Sequence, residues 1–545
     1  MTLRPTLLVL LLLAGTAAAD EPCGVVLVET ARDAGLDFVH DPGRQGEMHL
    51  PETMGSGVAW LDFDGDGWVD LYAVQSGPFP PGGSPPGGEP AARDKLWRNR
   101  GDGRFEDWTE RARLDVRGYG QGVTAADVDG DGRVDLYVVQ FGPDVYLKNR
   151  GDGTFEDATA AVGLGLGGWG SAAAFADYDR DGDLDLYVVR YVDYDPEDEL
   201  FCGDLDRGER DYCDPSLFDG SRDAFFRQDD GRFVAAAESA GVASAAGKGL
   251  GVVFVDLDAD LLPDLYVTND ITPNIVFHNL GDGTFEDVSF LSGAAANAEG
   301  MFEAGMGIAI GDVDADGDPD VAVTNFDVET NTLYENLGEL QFEDVSAQSG
   351  YGLPSFNLLG FGLVLADLDR DGDLDVYAAN GHIYEKPRRE SVTYRQRNLM
   401  LLGDGSGRFQ EARCAFLAEN PRLGRGLATG DYDSDGDLDL TILNNDGPLE
   451  LWRNDTPGGG WIGLRLVGRA PNTEAVAATV GLVESGGRRQ RRWVMAGDSY
   501  ESSSDRRVFF GLATAKPASV EVTWPSGKRR RIVSPPAGRY LVVRE

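Results

Sequence analysis

Short apolar runs recur along most of this chain, each bounded by glycine and aspartate. Between residues 119 and 159, the run at 120–126 holds mainly small residues, and LYVVQF (136–141) alternates. VYLKN (145–149) is a third run and TFEDAT (154–159) begins a fourth. Short period-two runs of this kind predict strands. The GDG between the third and fourth runs predicts a tight hairpin, because those positions need positive φ. The turn returns as GDGRF (101–105), GDGTF (151–155), DDGRF (229–233), GDGTF (281–285) and GSGRF (405–409), and in degraded form as GELQF (338–342). The repeating unit is therefore four antiparallel strands, which is the content of one propeller blade, with the small-residue strand suited to the hub.

Ahead of each second strand stands a loop of the form D-x-D-x-D-x-x-x-D, and there are seven of them. Their carboxylates are Asp62, Asp64, Asp66 and Asp70; Asp127, Asp129, Asp131 and Asp135; Asp177, Asp179, Asp181 and Asp185; and Asp256, Asp258, Asp260 and Asp264. The last three loops supply Asp312, Asp314, Asp316 and Asp320; Asp367, Asp369, Asp371 and Asp375; and Asp431, Asp433, Asp435 and Asp439. Four carboxylates this close repel one another unless a cation lies between them, and hard oxygen donors at such spacing suit Ca²⁺. Glycine at the sixth position gives the sharp turn in six loops, but Leu261 replaces it in the fourth, which puts that site in doubt. An EF-hand is excluded, since each loop runs into a strand and lacks the Glu at position 12.

Seven loops predict a seven-bladed ring, yet only six hairpin turns follow them. After LWRN (451–454) the chain reads DTPGGGW instead. LVETARDAGL (27–36) aligns with FEDATAAVGL (155–164), so the N-terminal segment is expected to supply the last strand of blade seven. No blade is then left with an unpaired edge.

Composition narrows the class. The 545 residues exceed one ordinary core, and 42% hydrophobic content argues against disorder despite a net charge of −45. Arg4, the apolar run at 7–13 and the alanines at 17–19 read as an export signal, so residues 1–19 are assigned to it and a secreted product is expected. No segment is long enough to span a bilayer as a helix. Cys202 and Cys213 are expected to pair, and Cys23 with Cys414 is a second candidate, since an exported chain permits disulfides. From residue 460 onward 15 Lys and Arg stand against 7 Asp and Glu, a net of about +8 that leaves about −53 on the rest. Residues 20–459 are assigned to the propeller and 460–545 to a small β-sandwich, making the protein all-β.

Loop, hub strand and GDGxF turn together resemble the FG-GAP/VCBS repeat family, whose seven-bladed propeller is shared with the integrin α head. The run WIGLRL (461–466), RVFFGLA (507–513) and VEVTWPSG (520–527) resembles the ASPIC/UnbV domain, although GDSYESSS (497–504) matches its usual pattern only in part. The resemblance implies calcium in the acidic loops and ligand recognition on the opposite face, where second and third strands are joined.

Candidate ligand-binding residues on that face are Asn269, Asp270 and Asn274, then Asn325, Glu329 and Asn331, then Asn380, His382 and Tyr384. Asn and Asp also favour loops for backbone reasons, which is the plain alternative. The expected function is a secreted, monomeric calcium-binding scaffold for an extracellular protein or glycan. The alternative is a carbohydrate-active or natural-product-modifying enzyme, or an accessory subunit of one, with His382 as a general base. Basic clusters at 488–492 and 528–531 raise nucleic acid, but export and the acidic propeller argue against it. Docking on the chain's own acidic loops, or simple solvation, is expected of them.

Overall fold

The structure is a computed structural model that describes residues 23–545 except 80–91, 199, 205, 244–245 and 514. The expected export signal and most of the Pro/Gly stretch at 77–90 lie outside the described residues.

The repeats fold into seven four-stranded antiparallel sheets. The second runs Tyr119–Ala126, Asp135–Phe141, Val145–Asn149 and Phe155–Asp157, in that order from the hub outward. The first strand of each sheet contacts those of its neighbours, and Val58–Leu61 touches both Tyr119–Ala126 and Gly424–Gly430, so the ring closes. Small side chains make this crowding possible; Gly170–Ala176, with sequence GSAAAFA, is buried along its whole length.

The seventh sheet combines Gly424–Gly430, Asp439–Asn444 and Leu449–Asn454 with the N-terminal Leu27–Glu29. Leu27 stands opposite Asn454 and Glu29 opposite Trp452. A Cys23–Cys414 disulfide ties this strand to the end of blade six, with Cα atoms 5.0 Å apart. Cys202 and Cys213 form the second disulfide, inside the long loop of blade three.

After Asn454 the chain enters a sandwich of two sheets. Trp461–Val467 lies between Val508–Gly511 and Tyr540–Arg544, and Thr479–Glu484 lies between Arg489–Trp493 and Pro517–Thr523. Ile462, Val480, Phe510, Val522 and Trp524 fill the space between them.

The segment at 497–504 has a structural role. Residues 496–505 leave the sandwich as a finger and enter the axis of the ring. Phe175 donates to Ala496 O at 3.0 Å, and Ile308 exchanges backbone hydrogen bonds with Ser499. Leu363 donates to Ser499 Oγ, Val123 to Glu501 O, Val58 to Ser502 Oγ and Thr429 to Ser504 Oγ. Six of the seven hub strands thus meet the finger, which satisfies backbone groups on inner edges that have no neighbouring strand. The fit is close: a Cβ on Gly57 would lie 1.6 Å from Glu501 O.

Candidate functional site

Each acidic loop is a chain of local turns. In blade one, Gly67 N–H donates to Asp62 Oδ2, Asp66 N–H to Asp64 Oδ1 and Trp68 N–H to Asp66 Oδ1. The ninth position has a separate task. Asp70 Oδ2 accepts from Phe63 N–H and Oδ1 from Asn99 N–H, tying the loop to the third strand. Asp135, Asp185, Asp264, Asp320, Asp375 and Asp439 repeat this double bond in their own blades.

The donor set fits a hard cation. In several loops the carboxylates at positions one, three and five, or one, three and nine, present oxygens within 4.8 Å of one another. Asp62, Asp177, Asp312, Asp367 and Asp431 each bury Oδ1 with no hydrogen-bond partner among the described residues. An orphaned buried carboxylate oxygen is costly unless a positive charge meets it. Burial pushes Asp177, Asp256, Asp367 and Asp431 up to about 7, with the neighbouring loop carboxylates adding to the rise. Blade four keeps the geometry that its missing glycine put in doubt: Leu261 takes the left-handed φ of 73°, and its N–H still donates to Asp256 Oδ2.

In three blades a third-strand residue reaches the loop carboxylates, whereas Arg227 and Arg453 of blades three and seven pair with Asp229 and Asp455 outside the loops. Arg98 reaches Asp64 and Asp66, Lys148 reaches Asp129, and His278 Nδ1 lies 3.1 Å from Asp264 Oδ1. Blades five and six carry Glu335 and Leu402 there, so their loops receive no cation from that strand.

The sandwich sits on these loops. Arg465 pairs with Asp62 at 3.3 Å, and Thr473 Oγ1 donates to Asp127. Arg488 pairs with Asp373 and also donates to Asp371 O, while Arg491 reaches Gly317 O. Gly511 N–H donates to Asp367 Oδ2 and Tyr540 O–H to Asp431 Oδ2. The cluster at 488–492 therefore docks on the propeller. That at 528–531 stays largely at the surface, where Lys528 pairs with Glu545 at 3.3 Å.

The opposite face carries all nine residues singled out there, and their side chains divide into two groups. The asparagines brace the backbone. Asn274 Oδ1 accepts from Asn269 N–H and Asn331 Oδ1 from Asn325 N–H, while Asn269 and Asn380 donate to nearby carbonyls. Asp94, Asp144 and Asp223 do the same work in the first three blades. His382 is engaged at both nitrogens: Nδ1 accepts from Tyr384 N–H at 2.9 Å, and Nε2 lies 3.3 Å from Asp327 Oδ1. Both nitrogens are therefore engaged within the loop face itself.

Asp270, Glu329 and Tyr384 differ, because they line a cavity of about 120 Å³ at the ring axis. Its floor is Met54, Leu250, Met306, Leu359 and Phe361. Tyr500 of the finger packs into the same cluster, 5.0 Å from the Phe361 ring, and donates to Met54 O. Around it, Ile271, Met301, Phe302, Val328, Leu353 and Phe356 are exposed. Ile271, which lines the cavity, bonds to the backbone of Glu303, beside Phe302, and Val328 bonds to that of Phe356, giving two exposed apolar pairs that make up the rim. Finger and rim were both missed in the sequence; the apolar MF at 301–302, in a loop, was the signal available for the rim.

A family model for the FG-GAP-like repeat matches residues 62–138, 127–188, 256–323 and 312–378, and one for ASPIC and UnbV matches 468–545. Cartilage acidic protein 1 of Homo sapiens is 28% identical over 492 residues, covering 88% of this chain and 70% of that protein. Its Mus musculus counterpart is also 28% identical, over 493 residues, covering 88% and 71%. Among solved structures, an Agrocybe aegerita lectin that recognises non-reducing terminal N-acetylglucosamine overlaps 74% of this chain and 94% of its own, with 15% identity and a TM-score of 0.37. YCF48 bound to D1 peptide overlaps 74% and 95%, with 12% identity and a TM-score of 0.40. The chain thus contains FG-GAP-like repeats and a C-terminal ASPIC and UnbV domain, and is similar over most of its length to cartilage acidic protein 1.

Proposed function

We propose that this chain is an exported, calcium-stabilised recognition scaffold that binds an extracellular protein through the face opposite its acidic loops. The apolar rim around the axial cavity carries this reading. Phe302 and Phe356 are 40% and 37% exposed and Met301 is 62% exposed, and large apolar side chains gathered on one face favour a partner surface. The sandwich sits on the acidic loops of five blades, on the side away from the rim. The two disulfides suit an oxidising compartment, and no helix among the described residues is long and apolar enough to cross a membrane.

In this reading calcium has no catalytic part. It meets the orphaned loop oxygens and holds strand, loop and sandwich together. A binding screen of the calcium-loaded protein against extracellular proteins and glycans tests the reading, repeated with Phe302→Ser and Phe356→Ser. A protein partner that weakens with both substitutions, while the melting temperature holds, is the expected result. Partners that ignore both substitutions, or that bind through the sandwich alone, would contradict it.

A further inference from the structure

The axial cavity has a chemistry more specific than its rim. Its walls are carbon for the most part, with Tyr191 and Tyr384 beside three carboxylates: Asp214, whose Oδ1 already accepts from Ser216 N–H, and Asp270 and Glu329. Asp270 is 6% exposed and accepts from the Tyr191 hydroxyl through Oδ2. Glu329 accepts from Ala304 N–H and Phe326 N–H, both through Oε2. Asp270 Oδ1 and Glu329 Oε1 accept no hydrogen bond among the described residues, and neither carboxylate has an ion pair there. Asp144, buried on the same face in blade two, is by contrast paired with Arg190 at 3.1 Å.

Nearby cations are occupied elsewhere. Lys248 donates to Pro215 O at 2.8 Å, and its field reaches Asp270 without ion-pair contact. Arg425 donates to the carbonyls of Thr53, Gly381 and Gly424 and stacks on Phe361. Water can meet the free carboxylate oxygens but leaves the carbon floor without a partner, since an ordered water gains only from polar neighbours. An anion would meet three carboxylates.

We propose that this cavity binds a cationic group carried on a compact apolar body, in the form of a basic side chain or a small organic amine. The apolar floor takes the hydrocarbon, while Asp270 and Glu329 receive the ammonium beside two aromatic rings. The volume, about 120 Å³, suits a body of roughly benzene size or a lysine stem. Burial pushes Asp270 up to about 6 and Glu329 up to about 7, as expected for carboxylates that lack a counter-charge. This proposal rests on the opposite face being the recognition face, but its test needs no partner protein and so fails separately from that reading.

The full calcium-loaded chain is titrated calorimetrically with n-butylammonium, with N-acetyl-lysine methylamide, and with neutral n-butanol and anionic butyrate as controls. Binding of either cation, with a Kd of about 1–10 mM and no heat from the controls, is expected. Binding of the lysine derivative points to a protein side chain as the source, and binding of butylammonium alone points to a free amine. Asp270→Asn, which keeps an acceptor for Tyr191, and Glu329→Gln should each weaken binding about tenfold without lowering the melting temperature. Equal binding of n-butanol, cation binding unmoved by both substitutions, or no cation binding up to about 50 mM would overturn the proposal.

Discussion

The two faces of the ring use carboxylates in opposite ways. On one, some thirty aspartates are crowded into seven repeated loops, bonded to their own backbone and covered by the sandwich. On the other, Asp270 and Glu329 are built into loops that differ from blade to blade and open on an apolar cavity. Repetition marks the first face as structural, since each loop solves the same problem of joining a hub strand to its neighbour. Irregularity marks the second as the place where this chain differs from a generic ring. The finger connects them, because it leaves a sandwich seated on the acidic loops and ends under the cavity floor.

Removing metal should break the first face with the largest effect. A site filled at 100 times its Kd adds roughly 2.7 kcal/mol, so emptying several loops should lower the melting temperature by about 10 °C or more. Calorimetric melts with calcium and with excess chelator measure this, and coincident melts would remove calcium from the account.

A smaller effect is expected at the connection. Tyr500→Ala deletes a fully buried ring that packs on Phe361, which should destabilise the protein by about 3–5 kcal/mol. The same variant should weaken ligand binding in the cavity, although Tyr500 belongs to the other domain. Unchanged affinity in a destabilised variant would mean that finger and cavity are independent.

The smallest effect is a pH dependence confined to the second face. Asp270 and Glu329 are raised to about 6 and about 7, chiefly by burial; Lys248 and Asp214 also face Asp270, and Glu303 faces Glu329. Both folded values exceed the unfolded value of about 4, so the folded state holds protons that the unfolded state releases. The stability these groups contribute is full below pH ~4 and is lost as pH rises through their folded values. In calcium, Glu329→Gln should therefore gain on the unmodified protein by about 1 kcal/mol between pH 5 and 8. Thermal melts across that range check it, and a constant difference would contradict it.

Much of the ring was legible because it depends on local rules. The period-two runs, the GDG turns and the acidic loops each follow from short-range chemistry, and the orphan strand at 27–29 could be placed by aligning it with 155–157. The missing glycine put the blade-four site in doubt; the structure shows only that Leu261 takes the left-handed backbone itself, a conformation that side chains other than glycine adopt at some cost. The finger could not be read, because a loop reaching six hub strands is a matter of tertiary placement. For the same reason Asn325 and Glu329 looked alike in the sequence. Only the fold turns the first toward the Thr330 carbonyl and leaves the second an unbonded oxygen at the cavity.

Hydrogen exchange across the whole chain, with calcium and with chelator, tests most directly whether the acidic loops hold the sandwich and its finger in place. Chelation should deprotect the seven loops and residues 496–505 together, while the cores of the sheets remain slow to exchange. Full protection of 496–505 after the metal has left the loops would contradict it.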